Sequence, residues 1–269
     1  MITQIFGHRF FVALSLAAIA VIATFVPARA PKAAQPIKCT APKGLSHFAR
    51  PLSRTARKLA SGKPVTIVAI GSSSTAGAGA SSDQATYPSR LAAELKERFP
   101  QGTIKVINHG VNGTEVRDML AKFEDNVVAD KPDLVLWQLG TNSVLRDRSL
   151  AEAPALINEG LTRLKALGTD VVLVNPQYAP RVIIKAEADH MLKIISTVAQ
   201  QSNVNVFDRF AVMRHWREGE NIPFSAFLSP DELHMNDWSY ACVAKLLGGA
   251  IAEAATRPAV TATTATVPR

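Results

Sequence analysis

Cysteine is scarce in this chain: 269 residues hold only Cys39 and Cys242. They form no C-x-x-C pair, and His47, His109, His190, His215 and His234 are scattered, so no metal-ligand spacing exists and no metal or other cofactor is expected. No repeat of fixed period runs through the chain, which excludes solenoid and propeller arrays. Charge is missing from residues 10–26, a run of 17 that His8 and Arg9 precede and Ala28-Arg29-Ala30 follows. A weakly positive head, an apolar stretch and a small-x-small site read as a secretory signal over residues 1–30. The same run is just long enough to remain as an inner-membrane anchor, so membrane contact is expected only where it stays uncleaved. In both cases the body of the protein is expected outside the cytoplasm, periplasmic or secreted. That compartment is oxidising, which leaves Cys39 and Cys242 as either a disulfide closing a loop of 203 residues or two free buried thiols.

Acidic side chains are the minority. The formal charge of +8 becomes +6 once residues 1–30 are set aside, 28 Lys and Arg against 22 Asp and Glu. Such a balance suits anionic envelope polymers or lipid. The basic cluster Arg50, Arg54, Arg57, Lys58 and Lys63 recurs at helical spacing and reads as a solvated helix face, so nucleic acid is not an expected partner.

What is present is apolar: 47% of the residues, enough to bury the core of one domain or at most two small ones. Residues 31–45 read as an Ala/Pro/Lys linker, 46–254 as the domain, and 255–269 as an Ala/Thr/Pro tail without periodicity. Within the domain, apolar runs at 65–70, 103–107, 134–139, 171–174 and 204–207 read as strands covered on both faces, hence parallel. Between the first two, Tyr87, Leu91, Leu95 and Phe99 recur every four residues, with Pro88 in the first turn and Pro100-Gln101-Gly102 as the stop. Similar patterns at about 114–129, 153–167, 183–201 and 238–254 complete a βαβ succession. The fold class is α/β: a three-layer α/β/α sandwich around a five-stranded parallel sheet.

Four segments carry chemistry. Gly71-Ser72-Ser73-Ser74-Thr75 follows the first strand, where a turn of small residues lets a hydroxyl stand out and leaves backbone N–H groups free. It lacks the Lys of a P-loop, and Thr75 occupies the second Gly of a G-x-S-x-G elbow. Asn108-His109-Gly110-Val111-Asn112-Gly113 follows the second strand and Gly140-Thr141-Asn142 the third. Glycine N–H groups and a side-chain amide are neutral donors suited to a developing oxyanion, though a turn glycine and an Asn bonding its own backbone look the same in sequence. Asp231-Glu232-Leu233-His234 comes last; three apart, the carboxylate and imidazole can face the same way, or Asp231 can simply cap a helix.

The order of these four segments resembles the SGNH hydrolases, the GDSL esterase/lipase family, over about residues 65–249. The resemblance implies a flavodoxin-like topology for the sheet, Ser73 as nucleophile, His234 as general base, Asp231 as its orienting acid, and an oxyanion hole from the Ser73 and Gly113 N–H groups with the Asn142 amide. Two positions depart from the family pattern: Ser72 and Ser143 stand where Gly-Asp-Ser and Gly-x-Asn-Asp have carboxylates. The three consecutive serines leave the reactive one to be decided by alignment, which favours Ser73.

The same resemblance implies an exported serine esterase removing short acyl groups such as acetyl from a carbohydrate or another envelope ester. A thioesterase, a lysophospholipase or an O-acyltransferase would use the same residues, and a degenerate flavodoxin-like binding module would use the first loop alone. Gln177 and Tyr178, after the fourth strand, are expected to border the crevice and offer hydrogen bonds or stacking to a sugar. His109 and Trp238 are further candidates for the pocket wall.

Overall fold

The computed structural model describes residues 37–257. The expected signal segment at residues 1–30, residues 31–36 of the expected linker and residues 258–269 of the expected tail lie outside them. Five strands form one sheet: β1 Val65–Gly71, β2 Ile104–Gly110, β3 Leu134–Gln138, β4 Asp170–Val174 and β5 Asn205–Phe207. All neighbours pair in parallel, in the order β2-β1-β3-β4-β5. β3 (LVLWQ) is buried at every position and β1 at all but Thr66. A continuous apolar run without alternation is what a strand between two helical layers requires.

The helices are α1 Ser53–Ala60, α2 Ser73–Ala76, α3 Tyr87–Arg98, α4 Val116–Ala121, α5 Thr141–Leu145, α6 Ala153–Ala166, α7 Pro180–Ile183, α8 Ala188–Gln201, α9 Arg209–Arg214, α10 Phe224–Phe227 and α11 Asp237–Thr256. α1 and α3 pack with α11, while α6 packs with α4 and α8. Right-handed crossovers place these groups on opposite faces of the sheet, giving the expected α/β/α sandwich. Where Trp137 fills the space between β3 and α6, Gly160 makes room, since a Cβ there would lie 2.2 Å from the indole.

Chain order reverses direction between β1 and β3: β1 leads outward to β2, whereas β3 leads the other way to β4 and β5. Loops leaving the carboxyl ends at such a switch point diverge and open a crevice. The β1 loop begins at Ser72 and the β3 loop at Leu139, so the serine run and Asn142 flank it.

Several boundaries differ from the sequence reading. β2 extends to Gly110, because Gly71 and Gly110 stay in register at the end of the ladder. As an edge strand it is also only half-buried, not covered on both faces. The helix expected over 114–129 is α4 followed by a π turn, Glu124–Val128, and the helix expected over 183–201 breaks between α7 and α8. The elements α9 and α10 have no counterpart in the sequence reading. Part of the presumed linker is tied down: Cys39 is bonded to Cys242 in α11 (S–S 2.02 Å), and Trp216 donates its indole N–H to the Thr40 carbonyl at 2.9 Å. Of the two states left open for the cysteines, the disulfide is the one formed. The basic cluster is not wholly solvated either, since Arg54 and Lys58 both reach the buried carboxylate of Asp133. Among the described residues no helix is long and apolar enough to cross a membrane.

Candidate active site

The segment after β1 turns at once into α2, whose first residue is Ser73. Gly77 ends that turn in the left-handed region (φ +106°), and a Cβ there would strike Thr86. Gly110 lets β2 approach the same turn, because a Cβ would lie 2.1 Å from the Ala76 nitrogen. Three serines stand in line, yet they face different ways. Ser72 is buried and donates both its N–H (2.8 Å) and its hydroxyl (3.0 Å) to Gln138 Oε1. Ser74 is buried too, with its hydroxyl 3.5 Å from Gln177 Oε1. Ser73 alone meets an imidazole: its Oγ lies 2.8 Å from His234 Nε2.

On the other side of that ring, His234 Nδ1 lies 2.5 Å from Asp231 Oδ2. A carboxylate there accepts from Nδ1–H, which fixes the tautomer, leaves Nε2 as an acceptor and makes the Ser73 hydroxyl the donor. The turn that presents the pair bonds to itself. Asp231 Oδ1 accepts from the Ser229 hydroxyl and from the N–H groups of Leu233 and His234, at 2.8, 3.1 and 2.9 Å. Glu232 adopts φ +57° to close it, an uncommon conformation for a non-glycine residue. Burial acts to raise the Asp231 pKa. The hydrogen bonds from the His234 N–H, its imidazole, the Ser229 hydroxyl and the Leu233 N–H outweigh it and hold the carboxyl well below the usual carboxylate range.

The loops after β2 and β3 are joined to each other. Asn142, in the first turn of α5, donates one amide hydrogen to the Thr114 carbonyl at 2.9 Å and retains a second. Gly113 takes φ +78°, and its carbonyl accepts from Arg146 Nη2 at 2.8 Å. Arg146 Nη1 and the Ser143 hydroxyl in turn donate to the two oxygens of Glu115, at 2.6 and 2.8 Å. A carboxylate from the β2 loop thus stands against Ser143, where the family pattern has a carboxylate on the β3 loop itself. Among the described residues neither the Ser73 N–H nor the Gly113 N–H meets an acceptor. Two backbone donors therefore remain available to bind a negative oxygen.

Of the residues expected to touch substrate, Gln177 is used internally, whereas Tyr178 stays partly exposed. Gln177 is 1% exposed and both ends of its amide are bonded within the protein, so it offers no surface to a sugar. Tyr178 donates its hydroxyl to Glu218 at 2.5 Å, and its ring packs on Phe210 and Phe224. Trp238 packs edge-on against Trp216, at 5.0 Å between centroids. His109 pairs with Asp130 at 2.6 Å and lines a cavity of about 540 Å³ shared with Gly71, Val111, Thr114 and Met119. Among the described residues no three His, Cys, Asp or Glu side chains gather as a metal site. Sequence reasoning missed Gln138, Glu115 and Arg146. A glutamine ending the otherwise apolar β3 was the one visible signal; nothing local marks the other two.

Comparison with known proteins agrees with this architecture. An acetylxylan esterase of Geobacillus stearothermophilus is 26% identical over 161 residues, 55% of this chain and 72% of that protein. The crystal structure of an acetylxylan esterase from the same organism superposes with a TM-score of 0.60 at 23% identity, covering 70% of this chain and 94% of that one. Variants of it in which a serine, an aspartate or a histidine is replaced by alanine are described as catalytic mutants, the aspartate and histidine three positions apart. A two-domain esterase active on acetylated mannans superposes with a TM-score of 0.67 at 22% identity, over 84% of this chain and 60% of that one. At these identities the structural likeness establishes the SGNH hydrolase-like fold. The model of the Non-GDSL lipase-like family matches residues 38–257, a span that takes in every strand and each of the four motif segments, and the chain belongs to that family.

Proposed function

We propose that this ester hydrolase removes acetyl groups from a carbohydrate polymer, with Ser73 as nucleophile, His234 as general base and Asp231 as the group that orients it. The observation that carries the reading is the 2.8 Å contact of Ser73 Oγ with His234 Nε2, in line with the Asp231 carboxylate. In the reaction, Ser73 Oγ attacks the ester carbonyl while Nε2 takes its proton. The carbonyl oxygen becomes an oxyanion held by the Ser73 and Gly113 N–H groups and the second Asn142 hydrogen. Collapse releases the sugar hydroxyl, which leaves with the proton from Nε2. Water then attacks the acetyl-Ser73 ester, again giving its proton to Nε2, and acetate departs with Ser73 restored.

The substrate class draws support from the relatives, one an acetylxylan esterase and another active on acetylated mannans. Their shared chemistry is an acetyl ester on a polysaccharide. Export, and with it action in the periplasm or outside the cell, rests on the charge-free run at residues 10–26 and the Ala28-Arg29-Ala30 site.

Release of acetate from acetylated xylan and acetylated mannan by the purified protein tests the reading, together with 4-nitrophenyl esters of graded chain length. Acetate release with a preference for the shortest ester is expected, and loss of both in Ser73→Ala. Full activity in that variant, or a preference for long acyl chains, would overturn it.

A further inference from the structure

Beneath the crevice, a single amide is bonded to the chain neighbours of three of the proposed site residues. Gln177 Oε1 accepts from the Thr141 hydroxyl at 3.0 Å, with the Ser74 hydroxyl 3.5 Å away, and Gln177 Nε2 donates to the Leu233 carbonyl at 3.3 Å. Ser74 follows Ser73, Thr141 precedes Asn142, and Leu233 precedes His234. The nucleophile turn, the start of α5 and the histidine turn come from separate parts of the chain, and this side chain meets all of them.

A fourth contact fixes which way the amide points. Arg209 Nη2 donates to Gln177 Oε1 at 2.9 Å, while its Nε donates to the Asn175 carbonyl at 3.1 Å. Arg209 is 1% exposed, and among the described residues its guanidinium forms no ion pair with an Asp or Glu carboxylate. Its Nη1 is buried and meets no hydrogen-bond acceptor among the described residues. Burial lowers its pKa to about 10, with Tyr240 and Tyr87 acting the other way, so it stays protonated at neutral pH. Turning the Gln177 amide over would set NH2 hydrogens against the buried Arg209 cation and Oε1 against the Leu233 carbonyl, leaving both contacts without a donor–acceptor match. The charge of Arg209 therefore holds Oε1 inward and aims Nε2 at the histidine turn.

We infer that Gln177, oriented by Arg209, is the positioning residue that keeps the Ser73 turn, the Asn142 helix and the His234 turn in register. The inference rests on the proposed roles of those three residues. A misplacement of about 1 Å between reacting groups costs roughly 100-fold in rate, so a tether one peptide bond from each of them acts on turnover and not on binding.

Gln177→Glu tests this selectively. One carboxylate oxygen keeps the contacts to Arg209, Thr141 and Ser74, whereas the other replaces Nε2 and sets an acceptor against the Leu233 carbonyl. The expected result is a Tm close to wild type, a kcat about 10- to 100-fold lower with KM little changed, and slowing of fluorophosphonate labelling of Ser73 by a similar factor. Thr141→Val is the second variant, to be relied on if Gln177→Glu fails to fold. It removes one arm at nearly constant volume and is expected to slow labelling about threefold to tenfold. Wild-type labelling rates in the folded variants would overturn the inference. So would losses that vanish once rates are expressed per titratable active site, because they would make Gln177 a stability residue only. Failure of the parent reading shows separately, as wild-type protein that is not labelled at Ser73, and the inference falls with it.

Discussion

Ser73 Oγ and His234 Nε2 meet at 2.8 Å although 161 residues separate them. Residues that act as one unit are non-additive: replacing either member alone costs about as much as replacing both. Ser73→Ala and His234→Ala are each expected to lower kcat on an activated acetate ester by about four orders of magnitude or more. The double variant is expected to be no slower than the worse single one, as measured by steady-state kinetics on all three proteins.

Asn142 and the two free N–H groups are proposed to act only on the oxyanion, so removing one donor should change kcat more than KM. Asn142→Ala is expected to lose about 100- to 1,000-fold in kcat. Replacement of Asn142 also leaves the Thr114 carbonyl without its donor, so thermal unfolding should accompany the kinetics to separate the two effects.

Arg146 links the Gly113 carbonyl to Glu115 across the gap between the β2 and β3 loops. Its side chain is 43% exposed, and an ion pair so placed contributes only about 0.2–1 kcal/mol to stability. Arg146→Met is therefore expected to leave Tm nearly unchanged while kcat falls about tenfold, since the Gly113 carbonyl is released and its N–H loses its aim. A double-mutant cycle with Glu115→Gln should give coupling in kcat and little in unfolding free energy.

The Asp231 carboxyl is held below its ordinary range by the donors that surround it. A depressed folded-state value means stability that is present above the unfolded value, about 3.9, and lost as pH falls through the folded one. Its side chain is 41% exposed, so solvent screens that contribution. Carbon-13 NMR of the Asp231 carboxyl is expected to show a titration midpoint below the ordinary value of about 3.9. A midpoint at or above the ordinary value would contradict the hydrogen-bond account.

The Cys39–Cys242 bridge closes a 203-residue separation, and removing a native disulfide typically costs about 2–5 kcal/mol. At roughly 2–4 °C per kcal/mol for a chain of this size, Cys39→Ser is expected to lower Tm by about 5–20 °C. Turnover measured well below Tm should stay unchanged, because neither cysteine takes part in the Ser73, Asn142 or His234 contacts.

Much of this was legible before any coordinate. Apolar runs without alternation required strands covered on both faces, and β1, β3 and β4 are so covered; the edge strand β2 escaped the pattern because its exposure depends on where it sits in the sheet. The spacing of Asp231 and His234 is local, and the turn that joins them forms within the same few residues.

Other features had no local sign. Ser72, Ser73 and Ser74 are chemically the same, and only contacts arriving from Gln138, His234 and Gln177 give each a different orientation. Gln177 follows β4 at the expected rim, yet a buried arginine from α9 turns it inward, while Tyr178 beside it stays partly exposed. The clasp of Glu115 with Arg146 likewise joins side chains 31 residues apart. The parallel strands, the layers and the rim on which the loops gather follow from hydrophobic period and chain handedness, which are properties of short segments. Which hydroxyl meets the imidazole, and which amide faces inward, is decided by distant partners brought together through packing, and no short window of sequence contains both sides of such a contact.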